Sequence, residues 1–205
     1  MAEAMRQTLI IMVKAPVLGR AKTRLARQIG GVEALRFYRA ATAGLLRRVV
    51  RDPRWKTVLA VDPPRACLAH FWPAHIARRS QCGGDLGARM LDQFGKAPHG
   101  PAVLIGSDIP GVAPRHLAAA FASLRRHDAV FGPAEDGGYW LVGLRVGHRP
   151  AGIFEGVRWS SEHALSDSRA SLGDSRIADV ETLFDVDDMA DWRRWRALPT
   201  PVGSR

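Results

Sequence analysis

The sequence is poor in cysteine and has no long hydrophobic run. Cys67 and Cys82 lack the spacing of a metal site, so we expect two buried free thiols in a reducing cytosol rather than a disulfide. The longest apolar runs, such as residues 9–13, are far too short to cross a bilayer. Residues 1–8 lack the apolar stretch of a secretory signal, and we interpret them as a short disordered lead-in. These absences predict a cytoplasmic protein without a membrane span.

Lysine is also scarce, although the formal net charge is +10. Most of the 30 basic residues are arginines, and many stand in scattered pairs such as Arg47-Arg48 and Arg125-Arg126. Binding to nucleic acid, binding to a small polyanion such as a nucleotide, and a solvated arginine-rich surface all fit this charge. Because no basic tract carries interleaved aromatic residues, the pattern disfavours nucleic acid and leaves the other two interpretations open.

Apolar runs with β-branched residues alternate with amphipathic segments along the chain. The strand-like segments are 8–13, 57–61, 76–80, 102–106, 128–132, 139–142 and 176–180. The helical patterns are 32–50, 85–94, 114–125, 160–171 and 189–198, with Asp85, Ser160 and Asp188 as expected caps. This alternation predicts a single-domain α/β/α sandwich with a mostly parallel central sheet. Within it, we interpret residues 8–145 as a nucleotide-binding half and 146–198 as the part that completes the acceptor and metal sites.

Four cations crowd the loop that follows the first predicted strand. They are Lys14, Arg20, Lys22 and Arg24, with Thr23 beside them. The carboxyl edge of an open α/β sheet is where ligands bind, and these cations would repel one another unless an anion lay among them. A phosphate chain, held by charge-assisted hydrogen bonds, is the obvious candidate. The loop is not a P-loop, because Gly19 and Lys22 are not adjacent. A solvated basic turn is the alternative.

Acidic residues follow two later segments. Asp108 comes directly after the buried strand 102–106, in a loop fixed by Gly and Pro, which is a suitable position for binding Mg²⁺ or Mn²⁺. Asp185 and Asp187 are two residues apart, so in an extended segment both point to one side and can share that metal. A turn-forming aspartate would explain Asp108 without a ligand, and a helix cap would explain the 185–188 segment.

Two further segments have ligand-binding and structural interpretations. Gly137-Gly138 permits positive φ and close approach to a ligand, with Asp136 placed to orient a hydroxyl, and a tight turn is the alternative. Trp159 and Ser160 are candidates for acceptor contact, or else a core residue and a cap. The histidines have no zinc spacing and no GxSxG motif is present, which argues against a zinc site and a serine hydrolase.

Four motifs together resemble one bacterial family. They are Lys14-Ala-Pro with Gly19-Arg-Ala-Lys-Thr-Arg-Leu25, Gly106-Ser-Asp-Ile-Pro110, Glu135-Asp-Gly-Gly-Tyr-Trp140 and Asp185-Val-Asp187. The family consists of GT-A-fold, glycosyltransferase-like proteins, similar to nucleotide-diphospho-sugar transferases and to 2-phospholactate and molybdenum-cofactor guanylyltransferases. The resemblance covers nearly the whole chain. It implies a transferase with a nucleotide-sugar or nucleoside triphosphate donor, a small-molecule acceptor, and Mg²⁺ or Mn²⁺.

The resemblance also implies roles for individual residues. Asp108, Lys22 and Arg20 are the expected catalytic residues, and Asp108, Asp185 and Asp187 the expected metal ligands. The expected nucleotide-binding residues are Lys14, Ala15, Pro16, Gly19, Arg24, Gln81, Gly84, Gly87, Arg89 and Ser107. The glycine turn and the Trp159 segment described above, independently of the resemblance, give the expected acceptor-binding residues Asp136, Gly137, Gly138, Trp159 and Ser160. Glycosyl transfer is the favoured reaction. Nucleotidyl transfer and a non-catalytic nucleotide-sensing or nucleic-acid-binding role are the alternatives.

Overall fold

A seven-stranded sheet forms the centre of the computed structural model, which describes residues 7–97, 100–145, 147–148 and 150–197. The strands are β1 (Gln7–Lys14), β2 (Trp55–Asp62), β3 (Ala77–Ser80), β4 (Ala102–Ile105), β5 (Ala129–Pro133), β6 (Tyr139–Leu144) and β7 (Ile177–Asp179). The α-helices are α1 (Thr23–Ile29), α2 (Gly31–Val49), α3 (Leu86–Gly95), α4 (Pro114–Ser123), α5 (Ala164–Ala170) and α6 (Met189–Ala197). A 3₁₀ helix spans Pro64–Leu68.

The strand order creates a natural ligand-binding position. The order is β3-β2-β1-β4-β6-β5-β7, and β6 runs antiparallel to both of its neighbours while the other pairs are parallel. From β1 the chain proceeds to β2 on one side and later returns to β4 on the other side. In open α/β sheets, ligands bind outside the carboxyl ends of the strands at such a switch point. Lys14 at the end of β1 and Asp108 beyond β4 therefore lie beside the expected crevice.

Helices cover both faces of the sheet because apolar side chains of its central strands point to both. In β1, Leu9 and Ile11 belong to one apolar cluster, which includes residues of α2 and α4. Ile10 points to the opposite face and belongs to a second cluster, which includes Met90 and Phe94 of α3. Burying a side chain of this size contributes about 1.5–3 kcal/mol. These two layers around a mostly parallel sheet confirm the predicted α/β/α sandwich.

Two of the expected caps are confirmed and one is wrong. Asp85 accepts a hydrogen bond from the Ala88 amide at 2.8 Å, and Asp188 accepts from two amides at the start of α6. Ser160 does not cap a helix, because α5 begins only at Ala164. Ser160 instead has a φ of 59°, in a turn that precedes the helix.

Helix α1 has no counterpart among the predicted helices. It is short, and its N-cap residue Lys22 makes no side-chain capping hydrogen bond, so the usual start signal is missing. Its stability comes from tertiary packing: Leu25 is fully buried in a third cluster with Phe37 of α2 and Val186. Such a contact, between segments far apart in the chain, has no local sequence signal.

The prediction of buried thiols is also wrong, although both cysteines are free. Cys82 is exposed because it lies in the loop between β3 and α3, and Cys67 is half-buried in the 3₁₀ helix. The prediction of a disordered lead-in over residues 1–8 is wrong at Gln7 and Thr8, which belong to β1, and its residues 1–6 lie outside the described ranges. Leu198, the predicted last residue of α6, lies outside them too. Among the described helices, none has the length and apolarity needed to cross a membrane.

Candidate active site

A cleft of about 800 Å³ opens at the carboxyl ends of β1 and β4. Its walls come from the loop after β1, the loop after β4, the start of α3 and the segment 159–162. The predicted site residues that line it are Lys14, Lys22, Arg24, Gln81, Arg89, Ser107, Asp108, Asp136, Trp159, Ser160 and Asp187. The topology thus brings most of the candidate residues, which are scattered through the sequence, to a single cavity.

Lys22 lies at the centre of the charged end of this cleft. Its Nζ is 2.7 Å from Asp108 Oδ2 and 2.6 Å from Asp187 Oδ1, and the Lys22 side chain is only 6% exposed. Burial by itself would lower the pKa of the Lys22 ammonium. The two carboxylates outweigh that effect and raise the pKa above its usual value, so Lys22 is charged. A buried cation therefore joins the Asp108 loop to the 185–187 segment.

Further carboxylates surround this ion-pair cluster. Burial, followed by the negative charge of Asp187, raises the pKa of Asp185 to about 6. Lys22 opposes the shift, while Asp108 and Asp136 add to it. Arg24 contributes a second, largely exposed cation 3.7 Å from Asp187. This end of the site thus combines two cations, Lys22 and Arg24, with the carboxylates of Asp108, Asp185 and Asp187.

Helix α2 fixes the two loops that carry these charges. The Tyr38 hydroxyl accepts a hydrogen bond from the Lys14 amide at 2.8 Å and lies 3.0 Å from the Lys14 carbonyl. Arg48 donates to the carbonyls of Val112 at 2.9 Å and Pro110 at 3.0 Å, in the loop that follows Asp108. Sequence reasoning missed both residues. The available signal was a tyrosine on the buried face of a helix, since a buried hydroxyl needs a polar partner.

The Gly137-Gly138 turn packs against the opposite wall of the cleft. Gly137 has a φ of 84°, and a side chain there would collide with the Glu162 backbone. Its carbonyl accepts a hydrogen bond from the Leu165 amide, and Asp136 accepts one from Gly138 at 2.9 Å. Gly137 therefore has the predicted positive φ and a close approach, but the group that it approaches is the chain's own backbone and not a ligand.

Some predicted residues have structural contacts, and others lie outside the cleft lining. The Gln81 side-chain amide donates to the carbonyls of Ala60 at 2.8 Å and Val13 at 3.4 Å, so it ties strands together. Gly87 lets α3 approach Trp159 closely. The predicted residues that do not line the cleft are Ala15, Pro16, Gly19, Arg20, Gly84, Gly87, Gly137, Gly138 and Asp185. Ala15 and Pro16 are buried, whereas Arg20 is exposed.

The carboxylates suit a hard divalent cation. Within the described ranges, no three His, Cys, Asp or Glu side chains form a group that could hold a metal by themselves. Mg²⁺ is commonly bound through one or two carboxylates together with substrate phosphates and water, and does not need an all-protein cage. Asp108 and Asp187, which flank the Lys22 ammonium, provide two such carboxylates. The donor set therefore fits a metal ion whose remaining ligands come from a phosphate-bearing substrate.

One family of proteins matches more than half of this chain. The model of a family described as uncharacterized protein conserved in bacteria (DUF2064) matches residues 45–161. Those residues include the Asp108 loop and the Gly137-Gly138 turn. A search of curated proteins found no significant match.

Solved structures share the fold over nearly the whole chain. A candidate nucleotide-diphospho-sugar transferase from Desulfovibrio desulfuricans G20 is 28% identical, with a TM-score of 0.81 over 93% of this chain and 86% of that chain. Rv0371c from Mycobacterium tuberculosis H37Rv, in complex with manganese, is 17% identical (TM-score 0.54, 94% and 100% covered). CMP:2-keto-3-deoxy-manno-octonic acid synthetase, in complex with CTP, is 13% identical (TM-score 0.57, 94% and 97% covered). The chain therefore has the nucleotide-diphospho-sugar transferase fold.

Proposed function

The chain belongs to the bacterial DUF2064 family, and from that premise we propose that it is a metal-dependent transferase that moves a glycosyl group from a nucleotide-diphospho-sugar to a small acceptor. One observation carries this proposal. The Lys22 ammonium and the carboxylates of Asp108 and Asp187 meet in a cleft at the switch point of the sheet. The similarity to the D. desulfuricans protein supports the same reaction class.

The donor's diphosphate binds at the end of the cleft that holds Lys22. Lys14, Lys22 and Arg24 line that end and provide ammonium and guanidinium donors for phosphate oxygens. Arg20, exposed on the same loop, adds to the positive field and helps to stabilise the leaving group. Glycosyl transfer breaks the bond between the sugar carbon and the diphosphate oxygen, so negative charge develops there, and these cations stabilise it.

Asp108 and Asp187, with Asp185 nearby, would hold Mg²⁺ or Mn²⁺. When bound, the ion would supply positive charge that offsets the charge of the phosphate oxygens and of the nucleoside diphosphate leaving group. This proposal agrees with the oxygen-rich donor set and with the manganese complex of Rv0371c. Asp108 is the first choice as main ligand because it follows β4 directly at the switch point.

The acceptor enters from the wall opposite the cations. Asp136, Trp159 and Ser160 line that side of the cleft. The aromatic ring provides a flat apolar surface, and Asp136 is placed to orient the acceptor hydroxyl that forms the new bond to the sugar carbon. As this bond forms and the bond from the sugar carbon to the diphosphate oxygen breaks, the hydroxyl proton passes to the Asp136 carboxylate.

Nucleotidyl transfer is the second candidate, and the shared fold of a synthetase that binds CTP favours it. In that reaction an acceptor phosphate attacks the α-phosphorus of a nucleoside triphosphate, and pyrophosphate leaves. The same cations and carboxylates serve both reactions. The leaving group distinguishes them, because glycosyl transfer releases a nucleoside diphosphate and nucleotidyl transfer releases pyrophosphate.

A thermal-shift panel tests the proposal. Nucleotide sugars and nucleoside triphosphates are each added with and without Mg²⁺ or Mn²⁺. A ligand at 100 times its Kd stabilises a protein by about 2.7 kcal/mol, which corresponds to a rise in Tm of roughly 5–10 °C at this chain length. We expect at least one nucleotide to produce such a shift with metal present. If no nucleotide stabilises the protein with metal, the proposal fails.

Variants of the same panel test the role of Asp108. Asp108→Asn should remove the metal-dependent part of the shift while the circular dichroism spectrum stays unchanged. Asp174→Asn, an exposed aspartate outside the cleft lining, is the control. Unaltered metal dependence in Asp108→Asn would assign the metal to other carboxylates. If the protein instead binds nucleic acid, with an affinity that falls steeply as salt rises and does not depend on Mg²⁺, it is a nucleic-acid-binding protein.

A further inference from the structure

The Lys22 ammonium lies between the carboxylates of Asp108 and Asp187, the two groups proposed above to hold a divalent cation. Both N–O distances, 2.7 Å to Asp108 and 2.6 Å to Asp187, are short charge-assisted contacts. The carboxylates themselves are partly open, with side-chain exposures of 31% and 41%, whereas Lys22 is 6% exposed. The cation is therefore buried, and its acidic partners face the cleft.

This arrangement has an electrostatic consequence for metal binding. A divalent ion that approaches Asp108 and Asp187 meets carboxylates already paired with a positive charge, and it is repelled by that charge. A metal ion alone therefore gains little by binding. A phosphate chain changes the balance, because its oxygens offer the ammonium new negative partners and offer the metal additional ligands.

The side chain of Lys22 is suited to such an exchange of partners. Lysine carries a compact charge on a flexible stem with rotatable donors, unlike the rigid fork of arginine. Lys22 lies in the loop before α1, with a φ of 51°. Thr23 and Arg24, which follow it, line the same cleft, so phosphates that enter there come within reach of the ammonium.

We propose that Lys22 is a resident counter-cation that keeps metal ions off Asp108 and Asp187 until a phosphate-bearing donor draws its ammonium away. The inference rests on the proposed function, since it assigns an order of binding to that same site. Free metal binds weakly to the protein alone, and metal and nucleotide bind together. Nucleotide affinity and metal affinity are then positively coupled.

Binding of Mn²⁺ alone tests the inference without any turnover. Mn²⁺ is titrated into the purified full chain in the absence of nucleotide, and free Mn²⁺ is followed by electron paramagnetic resonance. A neighbouring cation weakens the binding of a proton to a carboxylate by about 10- to 1,000-fold, and it weakens the binding of a metal cation for the same electrostatic reason. We therefore expect Lys22→Met to tighten Mn²⁺ binding by at least about tenfold relative to wild type.

Three further variants sharpen the result. Lys14 lines the same cleft, but within the described ranges its ammonium forms no ion pair. Lys14→Met should therefore leave the Mn²⁺ affinity within about twofold of wild type. Lys22→Met combined with Asp187→Asn should lose the gain, which would place the metal on this carboxylate. Circular dichroism checks the fold, and Lys22→Gln replaces Lys22→Met if the latter unfolds.

The outcomes separate this inference from the proposed function. Equal Mn²⁺ affinity in wild type and in the folded Lys22 variant overturns the inference. So does a gain of the same size in Lys14→Met, which would reflect net charge alone. Nucleotide stabilisation of the wild-type protein in the thermal-shift panel is measured independently, and it can stand when the inference fails.

Discussion

The hydroxyl of Tyr38 lies 3.1 Å from the Oγ of Ser107, and this contact joins two loops of the cleft through one buried group. The same hydroxyl is hydrogen bonded to the backbone of Lys14. Burial raises the pKa of Tyr38, so the phenol is neutral and keeps its proton. The separation between the loop after β1 and the loop after β4 is therefore set by one side chain of α2.

Tyr38→Phe should destabilise the fold and loosen the cleft. Removal of the hydroxyl leaves Ser107 and the Lys14 backbone without this partner, which costs about 1–3 kcal/mol when the groups are buried. Urea unfolding measures that cost. Because Ser107 precedes Asp108, we also expect weaker metal-dependent nucleotide stabilisation in the thermal-shift panel.

The matched control for stability is Tyr139→Phe. Tyr139 is also held by burial and a hydroxyl contact, in this case with Ser168 at 3.1 Å on α5. That contact joins neither of the two loops. If both variants lose similar stability and Tyr38→Phe alone weakens nucleotide binding, Tyr38 positions the loops. Unchanged nucleotide stabilisation in a folded Tyr38→Phe protein would contradict this role.

Arg48→Lys, near the C-terminal end of α2, should have a similar effect. The guanidinium donates to two carbonyls of the Asp108 loop, and a lysine cannot reproduce its planar fork. Each hydrogen bond from a charged group contributes up to about 1.5–3 kcal/mol to the free energy of unfolding. Without these bonds the loop becomes free to shift. The measurement is the metal-dependent rise in Tm with nucleotide. Arg47→Lys, at the exposed neighbouring position, is the control and should behave like wild type.

The strands and the position of the cleft could be predicted because they depend on local patterns. Buried strands have continuous apolar runs, and the carboxyl ends of β1 and β4 follow from strand alternation and the switch-point rule. Lys22 and Asp108 could therefore be assigned to one edge of the sheet. Their direct contact could not, since side-chain direction depends on the positive φ of Lys22, which no sequence motif indicated.

The remaining features depend on contacts that are distant along the chain. Asp187 meets Lys22 across 165 residues, and Leu25 of α1 is buried against residues of α2 and of the 184–195 region. Sequence periodicity predicts that Tyr38 is buried but does not identify its partners. Ser160 looked like a cap because serine before a helical pattern usually is one, yet the helix starts later.

The stability of the metal-free protein should depend on Asp185 between pH 4 and pH 6. Burial and Asp187 raise its folded-state pKa to about 6, from an ordinary value of 3.8. Between these values the folded state binds more protons than the unfolded state, so stability falls as pH rises through this window. Two pKa units correspond to about 3 kcal/mol, which is an upper bound because solvent screens the cleft.

Asp185→Asn tests this dependence because it removes the charge. In a chelating buffer, urea unfolding should show the variant more stable than wild type at pH 7 and equal to it near pH 4. Asp174→Asn, at an exposed position outside the cleft lining, serves as the control. A stability difference that does not change with pH would show that burial of Asp185 carries no electrostatic penalty.

Gly137→Ala should be far more harmful than Gly138→Ala, although the two glycines are adjacent. Gly137 has a φ of 84°, and an added Cβ would collide with the backbone of Glu162, which cannot move without shifting the 159–162 wall. At Gly138 the nearest atom is a side-chain oxygen of Asp136 at 3.0 Å, which can rotate away. Positive-φ strain and the clash should cost Gly137→Ala at least about 2 kcal/mol in urea unfolding, against about 1 kcal/mol or less for Gly138→Ala.

Since Trp159 and Ser160 belong to the displaced wall, Gly137→Ala should also raise the KM for the acceptor. Equal effects of the two substitutions would mean that the turn and the wall move independently.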